Sequence, residues 1–239
     1  MFFFDPLFLI ISLPALILAL YAQAKVRGTY AKYLQVPNWQ RITGLEAARR
    51  LLALNGLSFV NVEGAPGVLS DHYDPRTKTL RLSREVAYSD SVAAVAIVAH
   101  EVGHAQQDAQ AYQPMRLRSG IVPLVNLGSQ LGPLLFLLGF FLMLYTRSAL
   151  GYTIAWLGVL AFASAAVFAL VTLPVELNAS ARAVEMLRAG GLIVDGEELQ
   201  GARAVLNAAA LTYVAALAQA LSTLLYYMLL LSGARRRSD

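Results

Sequence analysis

The chain has 239 residues, 57% of them apolar and only 14% charged, with a mean hydropathy of +0.56; soluble domains carry about 25% charged residues, so a purely soluble globular protein is excluded. It has no cysteine, which removes disulfides, thiolate metal sites and cysteine nucleophiles and leaves imidazole and carboxylate as metal donors. The net charge of +4 reads as membrane topology rather than a nucleic-acid footprint, because the basic residues flank hydrophobic stretches.

The first predicted element is a membrane anchor over residues 2–24. Ala22-Gln23-Ala24 has the small-x-small form of a signal-peptide cleavage site, but the charges run the wrong way for one: Asp5 precedes the apolar run, and Lys25, Arg27 and Lys32 follow it. A retained anchor with Lys25 on the cytoplasmic side is therefore expected. Residues 25–118 are polar and long enough for a small folded lobe. Uncharged runs at 119–146 and 148–175 are each long enough to cross a bilayer and together predict a transmembrane hairpin over 119–175. A cytoplasmic helical loop is expected at 176–203, then a membrane-crossing or membrane-packed helix at 204–234. Residues 25–118 hold twelve Lys and Arg and residues 175–203 hold three, together 15 of the chain's 19, which places both segments in the cytoplasm. Arg235-Arg236-Arg237 runs against a four-span topology and leaves a re-entrant last segment open. The fold class expected is a mostly α membrane protein of about four transmembrane helices with a small α+β cytoplasmic lobe.

Within the lobe, Thr43-Gly44-Leu45-Glu46 has the form of a capping box and starts a helix that runs to about Asn55 and stops at Gly56. Residues 58–62 and 68–73 have strand character, followed by an Asp74-Pro75-Arg76 turn and an alternating run at 77–82. Ser89 or Asp90 can cap a second helix over about 91–107, with Val92, Val95, Val98, Ala99 and Val102 as its apolar surface.

That helix carries His100-Glu101-Val102-Gly103-His104. Residues four apart on a helix share a face, so two imidazoles one turn apart suit a single zinc, and Glu101 beside the first can serve as general base to a metal-activated water. Gly103 leaves room for another element to approach. A chance coincidence on an amphipathic helix is the bland alternative, yet two of the chain's three histidines fall in this pattern. Catalytic zinc takes three protein ligands and leaves a position for water. The third candidate is Glu176, just behind Pro174 where the transmembrane hairpin returns to the lobe; its alternative is an ordinary interfacial carboxylate. His72 reads as another ligand, an oxyanion donor or a surface histidine. Paired intramembrane charges, which a transporter or channel would carry, are missing from the uncharged runs.

The run from Leu82-Ser83 through His104-Ala105-Gln106-Gln107, with Asp71-His72-Tyr73-Asp74-Pro75-Arg76, Pro174-Val175-Glu176-Leu177-Asn178-Ala179-Ser180 and Ala208-Ala209-Ala210-Leu211-Thr212-Tyr213, resembles the bacterial YugP-like family of membrane zinc metallopeptidases over nearly the whole chain. More distantly it is similar to gluzincin membrane proteases of the HtpX and CAAX prenyl protease kinds. The resemblance implies a zinc-dependent metalloendopeptidase of the cytoplasmic membrane with one Zn2+ on His100, His104 and Glu176, and Glu101 as catalytic residue. Its substrates would be unfolded or membrane-proximal polypeptides, and by analogy it would act in membrane-protein quality control. It also implies an edge strand that holds substrate, for which residues 77–82, with Thr79, are the candidate. The relatives commonly place an aspartate four residues after the glutamate, where this chain has Ser180. Arg182 and Tyr213 are further candidates for substrate or oxyanion contact; a solvated helix charge and membrane packing are their alternatives. The partners expected are a polypeptide substrate and the lipid bilayer, with no nucleic acid; a membrane-protein partner or homo-oligomer is compatible with the chain. The competing class is a noncatalytic zinc-binding membrane scaffold.

Overall fold

A computed structural model describes residues 6–194 and 196–235. The start of the predicted anchor, residues 2–5, and Arg236 and Arg237 of the basic terminus lie outside the described residues. The protein is a mostly α membrane protein: among the described residues, four helices are long and apolar enough to cross a bilayer, and a small three-stranded sheet belongs to the lobe. These helices are α1 (Pro6–Leu34), α5 (Gln113–Thr146), α6 (Ala149–Ala189) and α7 (Glu197–Arg235). All four outrun the uncharged stretches that predict them, because charged residues end a lipid-facing surface without ending a helix. Described α7 is unbroken, so the last apolar stretch makes no re-entrant turn within it.

The chain divides into two compact units. The membrane unit contains residues 6–21, 117–173 and 213–235 among those described. Its α5 and α6 pack through glycines: a Cβ on Gly132, Gly139, Gly151 or Gly158 would strike backbone of the facing helix. In lipid, where the hydrophobic effect does not drive helices together, such close backbone contact supplies the association. Phe136 stacks on Tyr227 of α7 with ring centroids 4.0 Å apart, and Ser222 on α7 donates to the Ile11 carbonyl of α1 at 2.8 Å.

The second unit, residues 22–116 and 174–212, joins the polar lobe to the end of α6 and the start of α7. Its α2 (Gly44–Leu54) begins with the expected capping box: the Thr43 hydroxyl accepts from the Glu46 N–H at 3.3 Å, and Glu46 accepts from the Thr43 N–H at 2.7 Å. Gly56 follows with φ +69°, a left-handed conformation that glycine adopts without a Cβ penalty. The strands are β1 (Asn61–Ala65), β2 (His72–Asp74) and β3 (Thr79–Ser83), ordered β1-β3-β2, with β1 parallel and β2 antiparallel to β3.

This order corrects the edge-strand expectation. Residues 79–83 form the central strand: Thr79 pairs with Asn61 on one side and Asp74 on the other, and it is 2% exposed. Its alternating pattern reflects a packed interior strand whose Arg81 reaches Asp74 and Glu63 at 3.1 and 3.3 Å. The strands also begin three to four residues later than the first two apolar runs suggest. A one-turn helix, α3 (Arg84–Tyr88), follows β3 without a sequence signal.

Helix α4 (Val92–Ala109) is capped by Ser91, whose hydroxyl accepts from the Ala94 N–H at 3.1 Å, in place of Ser89 or Asp90. Asp90 is engaged otherwise, its carbonyl taking the Asn38 backbone N–H at 2.8 Å. The α4 residues Val92 to Ala96, Val98 and Ala99 are all fully buried. It is therefore the central helix of the unit rather than a one-sided one, packed into a core with Leu51, Leu80, Leu82, Val86, Leu187 and Leu192.

Candidate metal centre

The four-residue spacing on α4 stacks His100 above His104, their rings edge to face with centroids 4.8 Å apart. Helix α6 brings Glu176 to them across 72 residues of chain. Its Oε2 lies 3.2 Å from His100 Nε2 and 3.4 Å from His104 Nε2. Glu176 is 2% exposed and His104 8%. The two helices come this close because Gly103 faces Ala179: a Cβ on Gly103 would lie 2.8 Å from the Ala179 carbonyl oxygen.

Glu101, on the same turn, is buried beside the group and accepts the Tyr73 backbone N–H of β2 at 2.9 Å. Burial pushes its carboxyl up, reinforced by Glu176 and partly offset by the two imidazoles. Strand β2 is pinned against α4 by the Tyr73 hydroxyl, which donates to Asp108 at 2.7 Å, and Lys78 pairs with the same carboxylate at 2.6 Å.

The backs of both imidazoles are held as well. His100 Nδ1 lies 3.2 Å from the Ser180 hydroxyl. His104 Nδ1 lies 3.0 Å from Gln107 Oε1. Gln107 Nε2 donates to the Val175 carbonyl at 2.8 Å and to Asn178 Oδ1 at 3.0 Å. Arg182 Nε donates to the same Asn178 oxygen at 2.7 Å, and its Nη1 to Gln106 and Gln110, each at 2.7 Å.

Of the candidate residues, His100, Glu101, His104 and Glu176 are thus brought together. His72 is exposed on β2, and its Nδ1 lies 2.8 Å from the Ser70 carbonyl. Thr79 sits in the central strand, donating to the Thr77 carbonyl. Arg182 is engaged by the amide oxygens of Asn178, Gln106 and Gln110. Tyr213 belongs to the membrane unit. Sequence reasoning passed over Gln107 and Asn178; a fully buried-type position occupied by glutamine three residues after His104 in an apolar helix was the available signal.

The chain matches the family model described as "Putative neutral zinc metallopeptidase" over residues 8–232. It belongs to this family. It is also 44% identical over 228 residues to a Bacillus subtilis (strain 168) protein named "Putative membrane protease YugP", an alignment covering 95% of this chain and 98% of that protein. No solved structure gives a significant match. Members of a zinc metallopeptidase family need a site for the ion, and the donors here suit one. His100, His104 and Glu176 offer two nitrogens and an oxygen, all within 4.8 Å of one another. Donors at about 2.0–2.1 Å from a tetrahedral zinc lie about 3.3–3.4 Å apart, which the two separations from Glu176 match. Two carboxylates buried with two imidazoles also need positive charge for compensation, which a divalent cation supplies.

Proposed function

We propose that this protein is a zinc-dependent metalloendopeptidase of the gluzincin type, with one zinc ion held by His100, His104 and Glu176. The observation that carries the reading is the return of a carboxylate from α6 to within 3.4 Å of both imidazoles. Zinc at this place supplies a Lewis acid for the scissile carbonyl and acidifies a water. Glu101 accepts the proton of the attacking water and delivers it to the leaving amine; its burial raises its proton affinity in the direction that general-base work near neutral pH requires. Strand β2 is the sheet edge that touches Glu101 through Tyr73, so an extended polypeptide adding to β2 would lie across the site.

The distribution of Lys and Arg supports a lobe on the cytoplasmic side of a bacterial inner membrane. A site whose carboxylate sits on α6, a helix that continues as a candidate membrane span, favours unfolded polypeptides and segments close to the bilayer, which fits membrane-protein quality control. The test is Glu101→Gln in full-length protein purified in detergent with zinc. Retained zinc with a fall of about 100-fold or more in cleavage of an unfolded polypeptide is expected. A zinc-loaded wild type that cleaves no better than Glu101→Gln points instead to a noncatalytic scaffold.

A further inference from the structure

We propose that Gln107 is a positioning residue that fixes His104 as the Nδ1–H tautomer, and so presents the lone pair of Nε2 to the metal position. The proposal rests on the zinc reading above and adds the residue that prepares one of its ligands.

Hydrogen-bond chemistry at two fixed points carries it. A main-chain carbonyl can only accept and a guanidinium can only donate, whereas an amide side chain can present either end. The Val175 carbonyl, 2.8 Å from the Gln107 amide, therefore requires the nitrogen end there. Arg182 Nε, 2.7 Å from the Asn178 amide, requires the oxygen end of Asn178, and that oxygen also faces the Gln107 nitrogen at 3.0 Å. Both constraints turn Gln107 the same way. Its Oε1 is left facing His104 Nδ1 at 3.0 Å, where it can only accept, so the proton must sit on Nδ1.

Gln107 is fully buried, so no water competes for these contacts. An amide has two donor hydrogens, and both are used, on Val175 and Asn178. Flipping it would set its single oxygen against both the Val175 carbonyl and the Asn178 oxygen, leaving buried acceptors without a donor. Val175 directly precedes Glu176, so the group that sets the tautomer of one ligand is anchored beside another. His100 differs: its Nδ1 meets the Ser180 hydroxyl, which rotates and can donate or accept, while its Nε2 faces the Glu176 carboxylate at 3.2 Å, which can only accept and so favours the proton on Nε2 in the metal-free protein.

The test uses full-length protein with nitrogen-labelled histidine in detergent, Gln107→Met as a near-isosteric change and Ser180→Ala as the comparison. Metal-free wild type at alkaline pH should show His104 with its proton on Nδ1, and Gln107→Met should show the other tautomer or a mixture. Zinc affinity by chelator competition should weaken about 10- to 100-fold in Gln107→Met and less in Ser180→Ala. An Nε2–H signal for His104 in the wild type, or unchanged zinc affinity in a folded Gln107→Met, overturns the proposal. Because the tautomer is read without metal, it stands apart from the function: a wild type with Nδ1–H that fails to bind zinc defeats the zinc reading and leaves the geometry of Gln107 intact. Thermal unfolding of each variant separates loss of the fold from loss of positioning.

Discussion

Replacing Gly103 with alanine sets two known effects against each other. Alanine is favoured over glycine inside a helix by about 0.8–1.0 kcal/mol. The new methyl, however, would lie 2.8 Å from the Ala179 oxygen, 3.3 Å from its Cα and 3.4 Å from its carbonyl carbon. All three are backbone atoms, so no rotamer relieves the clash and α6 must move by about half an ångström, at an overpacking cost of about 1–3 kcal/mol. The balance is a net destabilisation of about 0–2 kcal/mol. Glu176 lies one turn from Ala179 on α6, and metal ligands tolerate displacements of only about 0.5 Å, so zinc affinity should fall about tenfold or more. Gly28→Ala is the control, since it carries the same helix preference and meets nothing within 4 Å. Chelator competition and thermal unfolding of both variants in detergent decide the matter. If Gly103→Ala binds zinc as wild type does and gains stability as Gly28→Ala does, the close crossing of α4 and α6 is wrong.

Burial alone would lower the His104 imidazole, but the Glu176 and Glu101 carboxylates outweigh it and hold its pKa above 6.5; burial likewise raises Glu101 above 4.5. Groups raised on folding stabilise the protein below their unfolded values and lose that contribution as pH climbs through the folded ones, so metal-free protein should melt at progressively lower temperature as pH rises from about 4.5 through neutrality. Zinc needs the neutral imidazole, so its affinity should rise with pH above about 6.5, with proton uptake by a weak buffer as the readout; affinity flat across that range would contradict a protonated His104 in the metal-free state. In the membrane unit, Gly139→Val should force α5 from α6 and sharply lower the yield of folded protein in detergent, because its Cβ would collide with Ala155 and Gly151 backbone. Thr43→Ala removes the hydroxyl of the α2 cap and should cost about 1 kcal/mol in denaturant unfolding, with zinc binding unchanged.

What could be read from sequence was whatever depends on spacing along one helix or on local turn chemistry. His100 and His104 share a face by helical period alone, and the Thr43–Glu46 cap is complete within four residues. Glu176 was legible because composition returns the chain to the lobe behind Pro174. The place of β3 was not: its partners, β1 and β2, lie on both sides, and the parallel pairing with β1 skips the intervening strand, which no local pattern encodes. The Gln107–Asn178 contact was hidden for the same reason, as it joins α4 to α6 over 71 residues and depends on their crossing at Gly103. Helix α3 is too short to show a period.

The donor set of two ring nitrogens and one carboxylate has a bearing on which ion the cell delivers. Without sulfur ligands, such a nest does not sort late first-row dications by softness, and its intrinsic preference follows the general rise toward copper. On the proposed zinc reading, occupancy would then follow the exchangeable pools of the compartment, so excess copper or nickel would be expected to displace zinc from these donors, whereas oxidants that strip thiolate sites would not.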